Sequence, residues 1–221
     1  MLFDHQGRAF HEGTTIKELN FDVFTDTALP SWLSIIGTDA VASFSSAATT
    51  RGFCTLATKI ATPAIDDFAG IAPAFDFDTS MFTEIGFFVS CVVADVDATQ
   101  TNSGTQIYIG NKTSTGALAH NTGSSDQHQG RVFGSAAKTV RWGFGSTLNA
   151  PKRKNIGMVI RPRTQEVAFT SGDPKDGDAA FFYDIGNWTD LTARPVLGIL
   201  ARTAARRSFS FSKVTLRLAH Y

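Results

Sequence analysis

Residues 84–97, EIGFFVSCVVADVD, constrain the fold of this 221-residue chain more than any other stretch. The run is almost unbroken in its apolar character. Its Phe, Val and Ile content suits a strand better than a helix, because branched and aromatic side chains pack well on a pleated surface. At a period of two, Ile85, Phe87, Val89, Cys91 and Val93 share one face, while Phe88, Val92, Ala94 and Val96 share the other. A strand that is apolar on both faces needs neighbours over both, so this stretch is expected in the middle of a sheet within a layered β protein.

The flanking sequence repeats the strand pattern at shorter length. Glu12, Glu18, Glu84 and Glu166 are the only glutamates among 20 acidic residues, so aspartate dominates. Aspartate with abundant Gly, Ser and Thr favours turns and strand ends over helices. Strands are expected over 17–27, within 28–37 up to a glycine stop, at 41–46 and 52–60, and around 68–71, with Phe75 and Phe77 entering the core from the following loop. GTQIYIGNK supplies a strand between polar stretches, and short strands follow at 132–133 and 139–145. RKNIGMVIRPRTQEVAFTSGD is the clearest hairpin: Ile156, Met158 and Ile160 alternate outwards, RPRTQ turns, and Val167 and Phe169 alternate back. Strands at 179–185 and 195–200 precede the closing RRSFSFSKVTLRLAHY. There Phe209 and Phe211 have one phase and Val214, Leu216 and Leu218 the other, so a bulge or kink near Ser212 and Lys213 is required for both sets to face the core.

About a dozen short strands without helix signals exceed an immunoglobulin count and indicate a two-sheet antiparallel β-sandwich of jelly-roll type. One domain over 17–221, preceded by an N-terminal arm over 1–16, accounts for the length. The 20 basic and 20 acidic residues balance, which argues against nucleic acid as a partner. No run approaches the roughly 18 apolar residues of a membrane span, so no membrane insertion is expected. MLFDHQGRAF has no signal-like core, which points to assembly or release rather than secretion. Cys54 and Cys91 both sit in apolar, strand-like stretches; they read as buried thiols, with a disulfide between them left open.

At the hairpin and the closing strand the sequence resembles the concanavalin A-like lectin/glucanase superfamily, in particular its laminin G-like members. IGMVIRPRTQEVAFTSGD is similar to their out-and-back hairpin, RPVLGILAR to a later strand and FSFSKVTLRLAHY to their closing strand. FDVFTDTALPSWLSIIG resembles the start of such domains in minor tail and other virion proteins of bacteriophages. The resemblance implies a jelly roll and a virion protein of tail or fibre, extracellular when mature and assembled in the host cytoplasm. It also implies other virion subunits as partners through the arm, a host surface glycan as ligand, and a homo-oligomer. The superfamily's enzymes carry two glutamates around an aspartate on one strand, and nothing here matches: no two of the four glutamates share a strand at spacing two. The closest substitutes are Asp95 with Asp97 and Asp76 with Asp78, which have the spacing of paired carboxylates but read more simply as strand-end charges.

No serine-nucleophile motif, phosphate loop or paired CxxC is present. No catalytic residue and no cofactor are therefore assigned. Asn121, Asp126, His128 and Gln129, in HNTGSSDQHQG, offer donors and acceptors for sugar hydroxyls. Trp188, in GNWTDL between two strands, is the indole expected to be exposed for stacking, whereas Trp32 and Trp142 read as core. Asp173, Asp176 and Asp178 cluster oxygen atoms around a turn and are weak candidates for calcium. Lys152, Arg153, Lys154, Arg202, Arg206 and Arg207 are charges at strand ends, suited to an anionic ligand or to discouraging edge pairing. The leading expectation is a non-catalytic, lectin-like virion protein for host attachment. A ligand-free capsid, collar or tail decoration protein is the first alternative, and a glycoside hydrolase or polysaccharide lyase the second.

Overall fold

The computed structural model describes residues 2–3, 9–10, 15–23, 25–37, 40–44, 52–58, 62, 67–78, 80–92, 105–111, 129–131, 142–143, 153–171, 182–184, 192–201, 204 and 208–220. In chain order its strands are β1 (Leu2–Phe3), β2 (Ala9–Phe10), β3 (Thr15–Asp22), β4 (Leu33–Ile36), β5 (Val41–Phe44), β6 (Cys54–Ala57), β7 (Phe68–Pro73), β8 (Phe77–Asp78) and β9 (Phe82–Val92). They continue as β10 (Thr105–Asn111), β11 (Gln129–Arg131), β12 (Trp142–Gly143), β13 (Arg153–Arg161), β14 (Glu166–Ser171), β15 (Phe182–Asp184), β16 (Thr192–Ala193), β17 (Pro195–Ala201) and β18 (Ser208–His220). No helix occurs among the described residues.

Two large sheets form the sandwich. The eight-stranded sheet runs β15-β14-β13-β9-β18-β6-β5, with β3 also paired to β18; the six-stranded sheet runs β12-β11-β10-β17-β7-β4. Pairing is antiparallel throughout apart from β10 with β11, which is parallel. The pairs β1–β2 and β8–β16 form small sheets of their own. The all-β, two-sheet jelly roll expected from strand spacing is therefore the observed architecture.

The stretch that organises the sequence also organises the fold. β9 lies inside the eight-stranded sheet between β13 and β18, and Ile85, Phe87 and Val89 are at most 1% exposed. Met158 stands opposite Phe87 and Ile160 opposite Ile85, so two strands present one apolar surface. From the other sheet Leu33, Ala69, Ile71 and Leu197 complete the core. Phe21, Phe77, Phe87 and Phe211 are among its largest fully buried side chains, each contributing roughly 1.5–3 kcal/mol by removal from water.

On the far face of β9, Phe88, one of the apolar residues expected there, is half-buried, with Glu84 and Gly86 buried and Ser90 half-buried beside it. Residues 93–97 lie outside the described residues.

β18 is the longest strand and has two partners on one flank. Ser208–Phe211 pair with β6, while Lys213–His220 pair with β3, which begins at Thr15. Between them the register on β9 moves from Phe211↔Cys91 to Lys213↔Ser90, leaving Ser212 as one extra residue. This is the expected bulge. The Val23 N–H donates to the Ser212 backbone carbonyl at 2.9 Å, and the Ser212 hydroxyl donates to the Ser90 carbonyl at 3.4 Å. The extra residue resets the alternation, so Phe211, Val214 and Leu216 all reach 0% exposure despite opposite phases in sequence.

Three other expectations resolve locally. The hairpin β13–β14 forms with the expected partners, Ile160↔Val167 and Met158↔Phe169, and Gln165 takes φ 54° in its turn. β4 stops at Gly37, whose φ of 132° suits glycine and whose missing Cβ leaves room for the Phe68 carbonyl. Cys54 and Cys91 stand on opposite sides of the same residue, Phe211. Two strand spacings, about 9.5 Å, separate their backbones, beyond the roughly 7 Å that a disulfide spans. Cys54 is a buried thiol.

Candidate functional site

At one end of the sandwich the chain leaves β7 and returns as β9 through a short, partly open segment. Ala74 N–H donates to the Trp32 carbonyl at 2.8 Å, which anchors the exit from the six-stranded sheet. The sequence PAFDFD then alternates, but it does not carry both phenylalanines inwards. Phe77, in β8, is 2% exposed, whereas Phe75 sits in the bend before β8 and remains 43% exposed. This corrects the expectation that both rings enter the core: the pleat that turns Phe77 inwards starts only after Phe75.

Phe75 is nevertheless held. Its ring meets Phe77 edge-on with centroids 5.0 Å apart, Phe77 meets Phe82 at 5.6 Å, and Phe82 meets His220 at 6.4 Å. The ladder thus runs from half-buried His220 at the end of β18 to the partly exposed ring of Phe75. Edge-to-face packing of this kind adds about 0.5–1.5 kcal/mol per pair beyond area. Met81, at 62%, is exposed in the neighbouring turn.

Polar residues follow Phe75 along the chain. Asp78 caps the turn, its Oδ1 accepting the Ser80 hydroxyl at 2.6 Å and the Ser80 N–H at 2.9 Å. These bonds, the hydroxyl first, hold the Asp78 carboxyl below its ordinary pKa range. Arg194, between β16 and β17, donates from Nε to the Pro73 carbonyl at 2.7 Å and from Nη2 to Ser34 Oγ at 2.8 Å. The same Nε lies 4.0 Å from Asp76 Oδ1. Asp76 and Asp78 therefore have separate structural partners, an arrangement unlike a catalytic carboxylate pair. What the segment offers is a fixed apolar ring with a half-exposed carboxylate beside it.

The outward face of the eight-stranded sheet holds a second polar group of residues. Arg161 Nε is 3.2 Å from Glu84 Oε2 and its Nη1 is 3.8 Å from Glu166 Oε2. Arg217 Nε is 3.9 Å from Glu18 Oε1, and Thr215 Oγ1 donates to Asn20 Oδ1 at 2.8 Å. Three of the four glutamates, remote in sequence, thus share one sheet face. The readable signal was phase: Glu84 and Glu166 alternate with Ile85 and Val167. Each carboxylate faces a guanidinium, so this face is built of ion-pair struts between strands.

Most residues singled out in the sequence fall elsewhere. Asn121, Asp126, His128, Trp188, Asp173, Asp176, Asp178, Asp95 and Asp97 lie outside the described residues. Gln129 opens β11 opposite Tyr108, within a strand rather than a loop. Arg153 and Lys154 pair with Val92 and Cys91, and Trp32 packs half-buried against the core. Among the described residues no three His, Cys, Asp or Glu side chains gather as a metal site, and no helix is long and apolar enough to cross a membrane. The sequence marked Phe75 as a core ring and left Arg194 unmarked, because ring exposure and anchoring between distant segments are tertiary properties.

No family model matches the sequence, and comparison with curated protein sequences finds no match. Solved structures do share the fold. The Emp47p carbohydrate recognition domain superposes with a TM-score of 0.53 at 10% identity, covering 90% of this chain and 94% of its own. Arcelin-5, a lectin-like defense protein from Phaseolus vulgaris, gives 0.53 at 9% identity, covering 94% and 100%. Winged bean acidic lectin, complexed with methyl-α-D-galactose, gives 0.52 at 11%, covering 94% and 100%. At these identities the likeness is one of fold: the chain shares the two-sheet jelly-roll sandwich of these lectin structures.

Proposed function

We propose that this lectin-type sandwich is a non-catalytic recognition module that binds a host-surface glycan, as part of a bacteriophage tail or fibre. The observation that carries the reading is Phe75, 43% exposed yet fixed edge-on by Phe77, next to the half-exposed carboxylate of Asp76. A sugar ring has an apolar C–H face and a rim of hydroxyls. The C–H face matches the negative face of an aromatic ring, and the hydroxyls match a carboxylate acceptor. Support also comes from the carbohydrate-binding proteins that share the fold. The resemblance of FDVFTDTALPSWLSIIG to virion domains supports the setting, with the mature protein on the particle.

A single shallow platform binds weakly, so avidity from a homo-oligomer is part of the proposal: linked weak sites gain roughly 100-fold to 10,000-fold. The test is glycan binding by the purified protein in parallel with Phe75→Ala. Binding that disappears in the variant while its melting temperature holds supports the reading; binding unchanged in the variant rejects this platform.

A ligand-free decoration role has its own supporting observation. Among the described residues β1 and β2 pair with each other, Leu2↔Phe10 and Phe3↔Ala9, in a sheet of their own. Such an arm could dock to neighbouring virion subunits. Removal of residues 1–13 abolishes assembly under that reading and leaves glycan binding intact under the first.

A further inference from the structure

The bend that carries Phe75 is held at both ends by one short stretch of distant sequence, residues 192–194. After the bend, Thr192 and Ala193 of β16 pair with Asp78 and Phe77 of β8. Before it, Arg194 donates from Nε to the Pro73 carbonyl at 2.7 Å and from Nη2 to Ser34 Oγ at 2.8 Å. Pro73 ends β7 and Ser34 lies in β4, the end strand of the six-stranded sheet. One guanidinium therefore reaches from the start of β17 to both of the next two strands. The Ser34 hydroxyl in turn lies 3.4 Å from the Ala72 and Pro73 carbonyls, so it accepts from Arg194 and donates to the end of β7. The ion pair at the same place is a weaker tie: Asp76 is 4.0 Å from Arg194 Nε with its side chain 54% exposed, where water and salt screen it.

Resting on the recognition reading above, we infer that Arg194 is the positioning residue of the Phe75 platform: its fork fixes where the chain leaves β7, and so fixes the ring. Phe75 is 43% exposed, so burial alone does not hold it. Its edge contact with Phe77 sets one side of the ring's position. The other constraint is the backbone, which Arg194 grips at Pro73 and Trp32 grips at Ala74, whose N–H donates to the Trp32 carbonyl at 2.8 Å. A ring ordered before a ligand arrives spares the cost of ordering it on binding. The role calls for arginine in particular, because a planar guanidinium meets two acceptors at once where a lysine ammonium is a compact point charge.

The experiment compares the full chain with Arg194→Met, Arg194→Lys and Ser34→Ala. Hydrogen exchange at the Ala74 amide reports the bend, exchange at Val89 in β9 reports the core, and a printed glycan array reports the platform. Arg194→Met is expected to speed Ala74 exchange about tenfold or more, the scale of one lost hydrogen bond to a charged group, while Val89 keeps its protection. Glycan retention should fall with it. Arg194→Lys keeps the charge beside Asp76 and should recover only part of both effects. Ser34→Ala removes one of the two acceptors and should lie between the full chain and Arg194→Met; it decides alone if Arg194→Met does not fold. Full recovery by lysine, unchanged Ala74 exchange, exchange that rises equally at Val89, or glycan retention that survives a loosened bend each overturn the inference and leave recognition standing. No glycan retained by the full chain rejects the recognition reading, and with it the platform that Arg194 positions.

Discussion

Glu84 and Arg161 meet across β9 and β13 on the sheet face turned away from the core, with Arg161 Nε 3.2 Å from Glu84 Oε2. Glu84 keeps 11% of its side-chain exposure and Arg161 32%, so the acid is the more desolvated partner. Removing the base should then cost more than the pair itself contributes, because a nearly buried carboxylate is left behind. Arg161→Met is expected to lower unfolding free energy by about 2 kcal/mol. The double variant Arg161→Met with Glu84→Gln should recover part of that loss. Denaturant titration of the double-mutant cycle checks both, and equal losses in the single and double variants would show that desolvation of Glu84 is not the dominant effect.

The bulge at Ser212 makes deletion unusually well tolerated. Ser212→Ala keeps the extra residue and is expected to cost about 0.5–1.5 kcal/mol. Deletion of Ser212 removes the extra residue and leaves Phe211, Val214, Leu216 and Leu218 in one unbroken alternation, so both sets still face the core. The deletion variant is expected to fold, losing about 0.5–1.5 kcal/mol with the hydrogen bond that the Ser212 carbonyl accepts from the Val23 N–H. Circular dichroism and melting of the two variants report the outcome, and an unfolded deletion variant would show that the bulge does more than reset the alternation.

Phe75 and Phe77 are two residues apart and should respond oppositely. Phe77→Ala empties a fully packed position and is expected to cost about 3–5 kcal/mol. Phe75→Ala should cost about 1 kcal/mol, the scale of a lost edge-to-face contact, while removing the binding platform. Thermal melting combined with glycan binding separates the two effects.

Asp78 links stability to acid. Its folded-state pKa is lowered by the Ser80 hydroxyl and then the Ser80 N–H. The charged form is thus preferred in the folded state, so this contribution is present above the unfolded value of about 4. It is lost as pH falls through the lower folded value. Melting followed from pH 5 to pH 2 should show an acid-sensitive component that Asp78→Asn lacks; identical profiles would remove Asp78 from the acid response.

Cys54 and Cys91 flank Phe211 on different strands, so oxidising conditions should form no bond between them within one chain. Thiol titration is expected to leave Cys54 unreactive in the native protein. Both cysteines should react after denaturation. A single chain that loses both thiols on mild oxidation would contradict the strand order.

The local pattern alone determined the class of fold and several details of it. Period-two alternation in β9, β13 and β14 is a property of consecutive side chains. The phase conflict between Phe211 and Val214 likewise predicts an inserted residue whichever strands lie alongside. Tertiary structure decided which distant strands met. The meeting of Glu84 and Glu166 at Arg161, the separation of the two cysteines by Phe211 and the anchoring of Pro73 by Arg194 all depend on strand order, which no single segment encodes. The exposure of Phe75 belongs with these: its composition called for burial, but the core beneath it was already filled by Phe77, and close packing leaves no room for a second ring.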